Sequence, residues 1–222
     1  MRKLSPYQSD HMPRFVRYLP NLLTYFRLFL IPIFVILMIN PSRQMVDNAI
    51  LIFIIAAITD FVDGFVARTF SAVSDFGKLL DPLADKILVM AGLVMLVAQR
   101  SDLDGGPWVD GWMVVIALGR EIWVTGLRGV AASRGVIVAA GNAGKLKSVF
   151  QMIAIVLLLL HDRPLSAIHI GALHIPLSWN CQFVGLNFLL ISLFFSVWSG
   201  FEYTWEILIA TREASEPPSQ KD

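Results

Sequence analysis

The sequence predicts an all-α integral membrane protein with six transmembrane helices and a short N-terminal interfacial helix. Three observations carry that expectation. The 222 residues are 56% apolar and 16% charged, against about 25% charged in soluble domains, and the mean hydropathy is +0.65. Six apolar runs approach the roughly 20 helical residues needed to cross ~30 Å of hydrocarbon. Lysine and arginine collect in alternate connections between those runs.

The predicted spans are Leu22 to Ile39, Val46 to Val66, Pro82 to Ala98, Val109 to Ala132, Ala143 to Leu160 and Phe183 to Ala210. Ahead of the first, PRFVRYLPNLLTYFR sets Arg14 and Arg17 among Phe15, Val16, Tyr18 and Leu19, which suits a helix lying among lipid headgroups. The polar segment before Leu22 carries no small-residue cleavage pattern, so the first apolar run reads as a retained helix. With the N-terminus in the cytoplasm, that side collects Arg2, Lys3, Arg14, Arg17, Arg68, Lys78, Arg134, Lys145, Lys147, Arg212 and Lys221. The opposite side receives Arg43, Arg100 and Arg163. Residues 1–211 read as one membrane domain, and residues 212–222, without apolar content, as a disordered cytoplasmic tail.

A formal net charge of +1 creates no field that argues for nucleic acid. The single cysteine, Cys181, has no intramolecular disulfide partner and reads as a packing residue. On the face opposite the cytoplasm, Ser101 to Trp112 reads as a turn with an aromatic anchor; its DxDG lacks the other ligands of a calcium loop. His161, His169 and His174 share a second loop without a zinc-like spacing.

The chemistry concentrates between Asp60 and Asp85, where DFVDGFVARTFSAVSDFGKLLDPLAD sets acids inside an apolar chain. At 100° per residue, Asp60, Asp63, Gly64 and Ala67 share one helical face, with Arg68 a little further round. Beyond a short break, Gly77, Asp81 and Asp85 recur every four residues and climb one stripe of the next helix. An ionised aspartate in hydrocarbon costs about 2.5 to 3.5 kcal/mol on insertion scales, and four together also repel one another. Capping accounts for one acid and pairing with Arg68 for another, but neither accounts for four on two facing stripes. Oxygen-only ligands with no His or Cys nearby favour Mg²⁺ or Mn²⁺, as one or two ions open to a phosphate. Gly64 and Ala67 read either as a gap for a bulky ligand or as a small-residue packing pair.

These residues carry a resemblance. Asp60-x-x-Asp63-Gly64-x-x-Ala67-Arg68, eight residues, then Gly77-x-x-x-Asp81-x-x-x-Asp85 resembles the signature of the CDP-alcohol phosphatidyltransferase family, with every spacer matched. The resemblance implies that the four aspartates hold divalent metal at the pyrophosphate of a CDP-linked lipid and that Asp85 also deprotonates the acceptor alcohol. It implies nucleotide contact for Gly64, Ala67 and Gly77, phosphate contact for Arg68, and a six-helix plan. It further implies membrane lipids as surroundings and a possible homodimer.

Acceptor choice falls later in the chain. Arg120 and Arg128 stand eight apart on a predicted span, about 80° round and two turns along. Each requires a partner there, and pairing with Glu121 or reaching to the headgroups is the plain alternative to a ligand. Lys145 and Lys147 begin the next helix, whose N-terminal amides add to their positive potential. LPNLLTYFRLFLIPIFV, REIWVTGLR and GKLKSVFQM resemble the bacterial branch of the family that transfers a phosphatidyl group from CDP-diacylglycerol to sn-glycerol 3-phosphate. That branch implies acceptor-phosphate contacts at Arg120, Arg128 and Lys145, and Asn21 and Thr24 near the donor. It also implies the bacterial inner (cytoplasmic) membrane, with the site facing the cytoplasm. Inositol phosphate or phosphatidylglycerol as acceptor remains open. A cation transporter is the distant alternative, and it leaves the arginine and glycines of the signature without a use.

Overall fold

The computed structural model describes residues 14–70, 75–101, 105–133, 135, 142–161, 168–170, 173–175 and 180–213. The helices are α1 (Arg14–Ile39), α2 (Arg43–Phe70), α3 (Asp75–Ala98), α4 (Gly111–Ser133), α5 (Asn142–Leu159) and α6 (Cys181–Glu213). Each predicted span lies within a residue or two of one helix or inside it. Two of these helices, over Leu22–Ile39 and Cys181–Arg212, are long and apolar enough on their own to cross a membrane.

Two expectations meet a different structure. The N-terminal segment thought to form a separate interfacial helix is continuous with the first span: α1 runs unbroken from Arg14 to Ile39. Pro20 removes one backbone donor from that run but does not end it. The loop after α5 contains two short strands, β1 (Ile168–Ile170) and β2 (Leu173–Ile175), paired antiparallel with His169 opposite His174. The residues expected to form a disordered tail lie outside the described residues beyond Glu213.

The chain divides into two compact units, Met1–Met95 and Leu96–Asp222. In the first, Ser42 caps α2: its Oγ accepts from the Met45 amide at 3.4 Å and its carbonyl from Val46 at 3.0 Å. The cap follows a tight reversal, so α1 and α2 pack as an antiparallel hairpin. Leu30, Ile31, Phe34 and Met38 of α1 are buried, as are Ala49, Ile50, Phe53 and Ala56 of α2, and the Phe34 and Phe53 rings lie 5.6 Å apart.

In the second unit, α6 is the common partner of α4 and α5. Phe150 stacks on Phe195 and tilts against Phe188, setting α5 antiparallel to α6. Val124 and Ala131 cluster with Tyr203 and Ile207, setting α4 parallel to it. The polarity of α6 is inverted relative to a soluble helix. Phe183, Phe194, Trp198, Phe201 and Trp205 are exposed, while Ser192, Ser196 and Ser199 are buried. That inversion is what a lipid solvent selects, since hydroxyls need protein partners there and aromatic rings do not.

The turn between α3 and α4 closes through Gly105, at φ 68°, whose amide donates to Ser101. Trp108 then stacks on His161 at 4.4 Å. Gln182 donates from Nε2 to the Trp108 carbonyl at 2.6 Å, which leaves its Oε1, 2.7 Å from His161 Nδ1, to accept. The aromatic anchor expected in this loop is therefore partly turned into the protein.

Gly185 of α6 is buried, and a Cβ there would lie 2.8 Å from the Leu158 side chain and 3.1 Å from its backbone nitrogen. The backbone atom has little room to yield. Gly185→Ala is therefore expected to destabilise the detergent-solubilised protein by about 1 to 3 kcal/mol, read as a lowered thermal midpoint. An unchanged midpoint would show that α5 and α6 have slack at this crossing.

Candidate active site

The helical run of α2 ends at Phe70 and carries Asp60, Asp63, Gly64, Ala67 and Arg68 on its last three turns. Asp60 and Asp63 therefore stand about 60° apart and one short turn along a single helix. The run of α3 starts at Asp75 and carries Gly77, Asp81 and Asp85 on its first three turns. Between them, residues 71–74 lie outside the described residues, as do the side chains of these positions other than Asp85. Asp85 is half-buried. An all-carboxylate donor set at these two spacings, three residues apart on one helix and four on the next, fits a hard divalent cation. Among the described residues no group of three His, Cys, Asp or Glu side chains gathers.

The α1–α2 hairpin adds a residue that the sequence reading did not single out. Arg27 is seven residues before Phe34, and Asp60 is seven after Phe53, so the ring contact between Phe34 and Phe53 sets Arg27 and Asp60 at one level of an antiparallel pair. Arg27 is 0% exposed. By the same register, Thr24, also buried, is level with Asp63, and Asn21 lies one turn nearer the start of α1. Asn21, Thr24 and Arg27 recur every three residues, the signal that marks one helix face. A fully buried guanidinium is expensive without a charge partner, and this one stands at the level of the acidic stripe.

The cations expected to read an acceptor lie in the second unit. Arg120 of α4 donates from Nε to the Ser196 carbonyl at 3.1 Å, from Nη2 to Ser199 Oγ at 2.8 Å and from Nη1 to Glu121 Oε1 at 2.7 Å. The same Glu121 oxygen accepts from Lys147 Nζ of α5. Lys147 is 4% exposed, whereas Lys145 is exposed in the same turn. Gly200 makes room for this arrangement, since a Cβ there would stand 3.3 Å from Arg120 Cγ. Two turns along α4, Arg128 is exposed; its Nε donates to Tyr203 Oη at 3.3 Å, and its guanidinium carbon lies 5.4 Å from the Tyr203 ring centre. The structure thus brings Arg120 together with Lys147, and sets Arg128 against Tyr203, while Lys145 stands outside that hydrogen-bonded set.

Comparison with known proteins agrees with the motifs. The family model of the CDP-alcohol phosphatidyltransferases matches residues 17–198, reaching into both units. A protein of Bacillus subtilis is 41% identical over 205 residues, 86% of this chain and 96% of its own length. A Pseudomonas fluorescens protein is 35% identical over 188 residues, 83% of this chain and 87% of its own. One from Rickettsia bellii is 35% identical over 168 residues, 75% and 88% of the two chains. All three are named CDP-diacylglycerol–glycerol-3-phosphate 3-phosphatidyltransferase.

The shared oxygen of Glu121 has an energetic consequence. Its removal leaves the buried Lys147 and the half-buried Arg120 without their shared counter-charge, and breaking a buried pair costs about 3 to 5 kcal/mol. Glu121→Ala should lose stability on that scale in a thermal or denaturant assay. Adding Lys147→Met to it should recover most of the loss. A double variant no more stable than the single one would show that the charges are not what Glu121 balances.

Proposed function

Because the chain belongs to the CDP-alcohol phosphatidyltransferase family, we propose that it transfers the phosphatidyl group of CDP-diacylglycerol to sn-glycerol 3-phosphate, releasing CMP. The observation that carries the reading is the complete signature, split between the end of α2 and the start of α3 in a chain that is 41% identical to a relative named for this reaction.

Asp60, Asp63, Asp81 and Asp85 are the residues that would hold one or two Mg²⁺ or Mn²⁺ ions, which would supply positive charge to the pyrophosphate. Arg68 supports the donor phosphates, and Gly64, Ala67 and Gly77 let the nucleotide approach the helix backbones. Asn21 and Thr24 complete the donor side. Asp85 takes the proton of the attacking hydroxyl as its oxygen bonds to the phosphatidyl phosphorus and the anhydride oxygen departs with CMP. None of the signature's fixed positions is a Ser, Cys or His that could carry a covalent intermediate, so a single in-line displacement is the simplest course.

Arg120, Arg128 and Lys145 bind the acceptor's phosphate. A phosphate-free acceptor would leave these cations without a ligand, which is the ground for preferring glycerol 3-phosphate to serine. The six helices all cross the cytoplasmic membrane, with the lysine- and arginine-rich connections, the signature and both termini on the cytoplasmic side. A single catalytic domain comprises residues 1–211, and a homodimer is the assembly that the family resemblance implies.

An acceptor screen tests the reading. Purified protein with CDP-diacylglycerol, Mg²⁺ or Mn²⁺ and glycerol 3-phosphate is expected to release CMP and form phosphatidylglycerophosphate; release with inositol phosphate alone would move it to another branch. Asp85→Asn is expected to lower kcat by about 100-fold or more, the range for losing a general base, with the protein still folded in detergent. Full activity in that variant would remove Asp85 from both of its roles.

A further inference from the structure

The last helix carries no part of the signature, yet it holds a buried polar stripe. Ser192, Ser196, Ser199 and Tyr203 are all buried, and their spacing of four, three and four keeps them within roughly 60° of one another on α6. Helix packing alone asks nothing polar of such a stripe. Ser192 does serve packing: its Oγ donates to the Lys147 carbonyl at 3.2 Å and ties α6 to α5. The next three positions meet cations. The Ser196 carbonyl and Ser199 Oγ accept from Arg120, and Tyr203 Oη accepts from Arg128.

The directions of these bonds are set from within α6. Ser199 Oγ lies 2.6 Å from the Phe195 carbonyl, to which it can give its only proton, so its lone pairs are what Arg120 meets. Arg120 is held through Nε, Nη1 and Nη2 at once, which fixes the plane of its guanidinium. Of its five N–H groups, two make no hydrogen bond among the described residues and remain for a ligand. Arg128 is held through Nε and through the ring face, so among the described residues its Nη groups make no hydrogen bond. A planar fork held at its stem and open at its tips is suited to a phosphate.

We propose that Ser199 and Tyr203 are positioning residues for the acceptor phosphate, orienting Arg120 and Arg128 so that both guanidinium planes are set before the substrate arrives. The inference rests on the reading of Arg120 and Arg128 as acceptor ligands and extends the site to α6. Preorganisation of this kind acts on binding of one substrate and leaves the other untouched.

The test varies glycerol 3-phosphate and CDP-diacylglycerol separately in CMP-release kinetics, for wild type, Tyr203→Phe, Tyr203→Leu, Ser199→Ala and Ser199→Thr. Tyr203→Phe keeps the ring and loses one hydrogen bond, so KM for glycerol 3-phosphate should rise about fivefold, with kcat and KM for the lipid within about twofold. Tyr203→Leu, which loses the ring face too, should raise it further. Ser199→Ala should behave as Tyr203→Phe does, and Ser199→Thr, which restores a hydroxyl, should return toward wild type. Should Ser199→Ala fail to fold, the tyrosine series decides alone. Unchanged KM for glycerol 3-phosphate in Tyr203→Phe, or equal rises for both substrates, would overturn the positioning role while leaving the wild-type reaction standing. Wild-type protein inactive with glycerol 3-phosphate would instead overturn the functional reading, and this inference with it.

Discussion

One carboxylate oxygen of Glu121 accepts from Arg120 of its own helix and from Lys147 of the next, while Arg120 also bonds α6 through Ser196 and Ser199. Three helices thus converge on a single charged knot. In water such a knot contributes little, because the desolvation of its members offsets most of their attraction. In a bilayer the alternative is worse, since an isolated ammonium or guanidinium has no solvent to return to. The knot therefore constrains the whole unit. Gly200 must stay small to admit Arg120, Ser199 must present lone pairs rather than a proton, and the exposed face of α6 is left to Phe194, Trp198 and Phe201.

The first unit meets the same constraint with the opposite sign of charge. Its burden is acidic: Asp60 and Asp63 close to the end of α2, Asp81 and Asp85 close to the start of α3. Arg27, buried and level with Asp60, supplies one positive charge and no more. Even with Arg68 of the signature as a second cation, four acids outnumber the arginines at that level, and that is the electrostatic reason to expect divalent metal there. Among the described residues, the second unit sets two cations, Arg120 and Lys147, on one carboxylate, with Arg128 beyond them, while the first carries the four acids of the signature. That asymmetry is the charge pattern that the proposed roles, recognising an anion and neutralising a leaving group, require.

Much of this was legible in the sequence because hydrocarbon imposes a coarse rule. A run of about 20 apolar residues needs little periodicity to be read as a helix, and all six helices fall where composition predicts them. The signature was legible because its fixed positions recur at helical spacings. What escaped depends on neighbours rather than on spacing. Arg27 near the start of an apolar run looks like one more interfacial cation until the α1–α2 hairpin shows its level. Lys145 and Lys147 are indistinguishable by type, yet residues two apart stand about 200° round a helix, so one can turn inward only if the other turns out; Lys147 is the buried one. The interfacial segment merged with α1 because nothing in it stops a helix, Pro20 included. The hairpin at 168–175 had a signal in the alternation of IHIGALHI about Gly171, which the histidines drew attention away from.

The serines and the tyrosine of α6 were the least legible residues and have the most specific contacts. A serine in an apolar helix ordinarily returns its proton to the carbonyl four residues back, as Ser199 does to Phe195, and then seems spent. In this position the bond has a second effect, because a hydroxyl that has given its proton inward can only accept outward. A lipid-embedded helix can in this way offer an arginine an acceptor without carrying a charge of its own. An aspartate there would add a second carboxylate beside Glu121 and leave the Arg120–Glu121–Lys147 cluster, which now carries one net positive charge, with none. A neutral acceptor orients the guanidinium and leaves that net charge in place, which suits the anion site proposed at Arg120.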